Sequence, residues 1–165
     1  MLSQATEDLR KALYNYLSKQ GTYVCHEVEI PTIWEHFERT GVYRGRVDMM
    51  TYQKSYRQDQ ATIRCYELKV SYTDFHSTHG HNFIGDYNYY VVPRELYPKI
   101  QNEIPDGVGC LIPQRQKHNG DWIFECVKKP KKRQLACDYN KLIHNFICAL
   151  SRECCIKNVG RYKAR

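Results

Sequence analysis

No run of apolar residues in this chain approaches the roughly eighteen needed to cross a bilayer, so no membrane role is expected. None of the eight cysteines stands in a Cys-x-x-Cys pair, and no basic-then-apolar leader opens the sequence. The expectation is a reduced, cytoplasmic setting with most thiols in the core. Internal repeats and low-complexity linkers are missing as well. The 165 residues are therefore read as one domain, long enough to bury a core without disulfide or metal staples.

What is present is ordinary globular material, 42% hydrophobic and 26% charged, which excludes intrinsic disorder. Two excesses stand out. Fourteen tyrosines supply amphipathic rings that serve either a core or a surface on which bases stack. Twenty-five Lys and Arg against eighteen Asp and Glu leave a formal charge of +7, which favours a polyanionic partner.

Periodicity then gives the order of elements. Residues 2–20 carry Leu9, Ala12, Leu13, Tyr16 and Leu17 at helical spacing, with Glu7 and Asp8 in the first turn and Gly21 as the stop. Residues 22–30 alternate. That strand would show Val24, His26, Val28 and Ile30 on one face and Cys25, Glu27 and Glu29 on the other, with Pro31 ending it. Residues 32–45 read as a short helix or loop. Strands over 47–52 and 62–70, joined by a polar turn at 54–60, form an expected hairpin that sets Asp48 near Glu67.

A polar stretch over 71–82, with His76, His79 and His81, reads as a loop. The histidine spacing is not a zinc pattern. A strand at 87–92, a short helix at 94–102 and strands at 108–112 and 122–127 follow, the last two around the turn Asn119-Gly120-Asp121. A basic run occupies 128–133. Asp138 is placed to cap a final helix with the stripe Leu142, Ile143, Phe146, Ile147 and Leu150, and a basic tail over 157–165 is expected to fray. The fold class is α/β, a central mixed β-sheet flanked by helices.

The chemistry concentrates in Arg64-Cys65-Tyr66-Glu67-Leu68-Lys69-Val70-Ser71. On a strand, Glu67, Lys69 and Ser71 share one face while Tyr66, Leu68 and Val70 share the other. A carboxylate and an ammonium thus stand side by side at the end of a β-rich run. Glu67-Leu68-Lys69 is the one Glu-x-Lys of the chain, although such a triplet arises by chance roughly once in two chains of this length.

Order and context make these residues resemble the PD-(D/E)XK nuclease superfamily, in which an upstream acid, an Asp on one strand and Glu-x-Lys on the next follow in sequence. The longer string from Tyr66 to Phe75, with Asn88-Tyr89-Tyr90-Val91-Val92-Pro93 and the stretch from Glu103-Ile104-Pro105 to Gly109, is similar to the MmcB-type DNA-repair branch and related phage proteins. The resemblance covers about residues 22–113. It implies a restriction-endonuclease-like core and a metal-dependent hydrolase of DNA phosphodiesters, in a bacterium or, if phage-encoded, in the host-cell cytoplasm.

Under that resemblance Asp48, Glu67 and the Leu68 carbonyl would hold Mg²⁺, or Mn²⁺, through hard oxygen ligands. Lys69 would orient the attacking water or offset charge on the phosphate. Glu27 is the favoured upstream acid, with Glu7 and Glu29 as alternatives. Candidate nucleic-acid contacts are Arg44, Arg46, Ser71, Lys128, Lys129, Lys131, Lys132 and Arg133. The partner would be DNA, with RNA as the alternative, and cutting both strands would call for a homodimer or successive nicks. Two other readings stand beside the enzyme: a catalytically inactive nucleic-acid-binding module, and a phage or host-defence interaction protein on the same scaffold.

Overall fold

A computed structural model describes residues 3–31, 45–54, 61–115 and 121–162, the last eight of these by backbone alone. The first helix, α1 (Gln4–Ser18), begins where Ser3 Oγ accepts the Thr6 amide and buries Leu9, Ala12, Leu13 and Leu17. Those four positions recur at helical spacing, so a single stripe faces the sheet. Gly21, at φ +66°, turns the chain out of the helix in a backbone conformation that costs glycine little.

Six strands follow: β1 (Tyr23–Glu29), β2 (Arg46–Gln53), β3 (Thr62–Leu68), β4 (Tyr87–Val91), β5 (Val108–Arg115) and β6 (Trp122–Lys128). They form one sheet in sequential order. β1, β2 and β3 pair antiparallel, β3, β4 and β5 run parallel, and β6 returns antiparallel, which makes the sheet mixed. Between strands lie the short helices α2 (Tyr72–Phe75) and α3 (Tyr97–Ile100). The last helix is α4 (Tyr139–Tyr162), whose first turn is capped by Asp138 accepting the Lys141 amide at 2.8 Å.

Helices cover both faces. α1 packs on Val24, Met49, Tyr66, Leu68, Leu111 and Phe124. On the other face α4 sets Leu142, Phe146 and Ala149 against Cys25, Val28, Val47, Met50, Ile63 and Cys65. A third cluster around Phe75, Tyr90, Leu96, Ile100 and Ile112 extends the core over β4 and β5. Each fully buried aliphatic side chain contributes about 1.5–3 kcal/mol to such layers. The mixed sheet flanked by helices and the β2–β3 hairpin are as the sequence led one to expect.

Several expectations are corrected. Alternation along β1 breaks at Glu27, which sits at φ +52°, so Val28 and Ile30 join Cys25 beneath α4 instead of following Val24 toward α1. Strict alternation assumes extended backbone throughout, and one left-handed residue reverses the faces beyond it. The 71–82 stretch is no plain loop, because it contains α2 and buries Phe75. Of the described cysteines only Cys25, Cys65 and Cys110 are buried; Cys126, Cys148 and Cys154 are exposed. Ile147 is 55% exposed and leaves the stripe, and α4 continues to Tyr162 through much of the segment expected to fray. The short helix is confined to Tyr97–Ile100.

Candidate functional site

Antiparallel pairing of Met49 with Tyr66 brings Asp48 and Glu67, the next residue on each strand, face to face. Asp48 Oδ2 accepts the Leu68 amide at 2.9 Å, which pins its carboxylate to the end of β3. Glu67 is fully buried, and its Oε1 accepts the Asn82 amide at 3.0 Å. The other oxygen, Oε2, is buried with no hydrogen-bond donor among the described residues. The two side chains face each other across the strand register, and each bears on the ionisation of the other.

Electrostatics follow from this crowding. Burial, and then the Asp48 charge, push the Glu67 carboxyl well above its ordinary range. Burial also raises Asp48, with Glu27 adding to the rise and the Leu68 amide opposing it. Two carboxylates facing each other, one of them fully buried, cannot both ionise cheaply without a cation between them. An orphaned buried oxygen has the same need.

Lys69, the residue after β3, is 2% exposed. Its Nζ donates to the Asp74 carbonyl at 3.0 Å, to Ser77 Oγ at 3.3 Å and to the His79 carbonyl. An ammonium has three donors, so all of them are engaged. A Cβ built on Gly80 would stand 3.0 Å from Lys69 Nζ and 3.3 Å from Glu67 Oε2, so the ammonium and the orphaned oxygen flank one point in the fold.

Glu27 lies beside this pair on β1, but both its oxygens are taken. Arg10 of α1 donates to Oε1 at 2.8 Å, and Arg46 meets Oε2 at 3.2 Å. The left-handed turn at Glu27 presents its carboxylate to two arginines from different elements. Glu7 pairs with Lys11 on the exposed side of α1, and the Glu29 carbonyl accepts from Asn145. A cleft of about 470 Å³ opens next to Glu27 between α1 and α4, lined by Arg10, Lys11, Tyr14, His26, Arg152 and Glu153.

Other sequence candidates scatter. Ser71 caps α2 by accepting the Asp74 amide, while Asp74 Oδ2 accepts the Val70 amide, a reciprocal local closure. His76 pairs with Glu103, His81 bonds Tyr90 and Ser77, and the His79 carbonyl serves Lys69, so the three rings do not converge. The basic run lies against the starts of β4 and β5, the far end of the sheet from Lys69, where Arg133 N bonds Asp86 O and Lys131 N bonds Gly107 O. There Lys128 donates to the Ile104 carbonyl, Lys131 pairs with Asp106 and Arg133 donates to the Asp106 carbonyl. Lys129 and Lys132 make no ion pair among the described residues. Arg44 lies outside the described residues.

Sequence reasoning brought out Asp48, Glu67 and Lys69, which the hairpin does bring together. It missed Arg10, Asn82, Gly80 and Tyr90. Their roles depend on which elements lie opposite, and neither spacing nor composition carries that. Among the described residues no three His, Cys, Asp or Glu side chains form a metal-holding group. A cation here would have two carboxylates and the adjoining Leu68 peptide, a hard-oxygen set suited to Mg²⁺ or Mn²⁺. Comparison with models of protein families, with curated proteins and with solved structures gives no match.

Proposed function

We propose that this chain is a divalent-cation-dependent phosphodiester hydrolase acting on DNA, built on a restriction-endonuclease-like core as the resemblance to the PD-(D/E)XK superfamily implies. One observation carries the reading: Glu67 Oε2 is buried with no donor among the described residues, beside a second carboxylate and a buried lysine. A fold retains so costly an arrangement where a cation and a negatively charged substrate complete it.

Asp48 and Glu67 would hold Mg²⁺, and the bound ion would act as a Lewis acid toward phosphate and water. The chain supplies the rest. On loading, the Asp48–Glu67 pair would give up any proton it holds, so cation binding would strengthen as pH rises. Lys69, carrying its charge at a fixed position, offsets negative charge gathering on the phosphoryl oxygens. Arg46, exposed at the edge of the pair, is placed to meet a neighbouring phosphate when it exchanges Glu27 for substrate. The formal charge of +7 supports a polyanionic substrate, and RNA remains the alternative polymer.

A second reading has an observation of its own. Every donor of Lys69 is used internally and both oxygens of Glu27 are paired, as in a nucleic-acid-binding module that does no chemistry. Incubation with circular, linear and branched DNA and with RNA, each in Mg²⁺, Mn²⁺ or chelator, separates the two. The hydrolase cuts only with metal, and Asp48→Ala lowers the rate by on the order of 100-fold or more. Binding in chelator with no product in any metal selects the module. Neither binding nor cutting selects the protein-interaction role.

A further inference from the structure

The lysine of the candidate centre is aimed by a segment that does not belong to the motif. Residues 77–82 pass beside Glu67 and Lys69, where a Cβ on Gly80, at φ +71°, would stand 3.0 Å from Lys69 Nζ and 3.3 Å from Glu67 Oε2. This strap touches three strands. Asn82 Nδ2 donates to the Arg46 carbonyl at 2.8 Å, Asn82 N serves Glu67, and His81 Nδ1 lies 2.5 Å from the Tyr90 hydroxyl of β4. His81 Nε2 lies 2.8 Å from the Ser77 carbonyl. A carbonyl only accepts, so Nε2 carries a hydrogen, while Nδ1 and the Tyr90 hydroxyl share a hydrogen bond. Tyr90 is 2% exposed, and the parallel register places it directly beside Glu67.

We propose that His81 and Tyr90 are positioning residues for Lys69. The hydrogen-bond chain from the Tyr90 hydroxyl through His81 to the Ser77 carbonyl anchors the strap, and the strap aims the ammonium. Ser77 is the joint of the device, since its carbonyl is held by His81 while its hydroxyl both accepts from Lys69 and donates to the His79 carbonyl. Two of the three oxygens on the ammonium therefore depend on this anchor. The bond to Ser77 Oγ, at 3.3 Å, is longer than the 3.0 Å bond to the Asp74 carbonyl. It is the contact Lys69 gives up most cheaply when a phosphate oxygen or water arrives, while the other two keep its direction.

The catalytic consequence rests on the hydrolase reading; the structural one does not. Neither residue touches a reacting group, so they act through Lys69. Misplacement of a catalytic group by about 1 Å costs on the order of 100-fold in rate, and a loosened strap should approach that.

The test combines two measurements on the full chain and on Tyr90→Phe and His81→Gln, with folding checked by far-ultraviolet circular dichroism. Nitrogen-15 spectra of lysine side chains should show a slowly exchanging Lys69 ammonium in the parent, absent in Lys69→Met, and lost or fast-exchanging in both variants. Cleavage of DNA in Mg²⁺ should fall 10- to 100-fold in kcat with KM little changed. A parent without a protected ammonium, or variants that keep it, overturns the assignment. Variants that lose the signal yet cut at the parental rate also overturn it. If the signals change as stated but no protein cuts any substrate, the hydrolase reading falls and the positioning assignment stands.

Discussion

The two ends of the sheet handle charge in opposite ways. At the Glu67 end, a buried carboxyl and a buried ammonium stand beside the half-buried Asp48, and one Glu67 oxygen has no partner among the described residues. At the far end, the 128–133 run carries far more charge per residue, yet all its cations but Lys128 are exposed and several are bound to the 104–106 turn. The comparison teaches that charge density and charge cost are different quantities. Exposed ion pairs contribute little and are screened, whereas a buried unpaired oxygen must be answered by a ligand, a proton or a penalty. The candidate centre is marked by cost.

The largest effect should come from removing that cost. A carboxyl whose pKa is higher in the folded than in the unfolded chain binds its proton more tightly when folded. Its stabilising effect is complete below the ordinary carboxylate range and is lost as pH climbs from there through the group's own titration. Glu67 is such a group, raised first by burial and then by Asp48. Glu67→Gln keeps an acceptor for the Asn82 amide and carries no charge. In metal-free buffer its urea midpoint should exceed the parent's by a margin that widens from pH 5 to pH 8, and added Mg²⁺ should close the margin by stabilising only the parent. A margin independent of pH would place Glu67 on the same footing as the exposed acids of the other end.

The next test sets Gly80 against Gly107. Both have positive φ, and a Cβ on either would press on a cation: Lys69 Nζ at 3.0 Å for Gly80, Arg133 Nη2 at 2.8 Å for Gly107. The backbone cost for alanine is about 1–2 kcal/mol at each. Arg133 has open solvent to move into, but Lys69 is buried and its donors are engaged. Gly80→Ala should therefore cost about 2–3 kcal/mol and Gly107→Ala about 1–2, by chemical denaturation. Equal losses would mean the strap gives way as readily as an exposed arginine.

How much of this was legible in the sequence follows from the reach of each signal. α1, α4 and the hairpin rest on periodicities of the chain's own geometry, so Leu13, Leu142 and the Asp48–Glu67 juxtaposition could be read locally. The reversal at Glu27 could not, since nothing in a glutamate announces φ +52°. Polar composition at 71–82 hid the strap because its work is done with carbonyls, and every residue has one. The basic run suggested a backbone grip because charge shows in sequence while its internal acceptors, the carbonyls of Ile104 and Asp106, do not. Arg10 was silent for the same reason, since its partner was fixed only when α1 met the edge of β1.

The smallest effect separates cations within the basic run. Lys131 already pairs with Asp106 at 2.9 Å and Lys128 with the Ile104 carbonyl at 2.7 Å, whereas Lys129 and Lys132 have no ion-pair partner among the described residues. A lysine that neutralises a DNA phosphate releases counterions, and its loss lowers the slope of log affinity against log salt by about 0.9. If the far end touches DNA at all, Lys129→Ala and Lys132→Ala should each reduce the slope by about that amount. Lys131→Ala should leave it nearly unchanged, because that charge is engaged within the fold and exposed enough that its removal barely alters stability. Fluorescence anisotropy on one duplex at several salt concentrations reads all three. Equal slopes for all three variants and the parent would confine DNA contact to the Glu67 end, and equal reductions would mean that the pairing of Lys131 with Asp106 yields to phosphate as readily as water does.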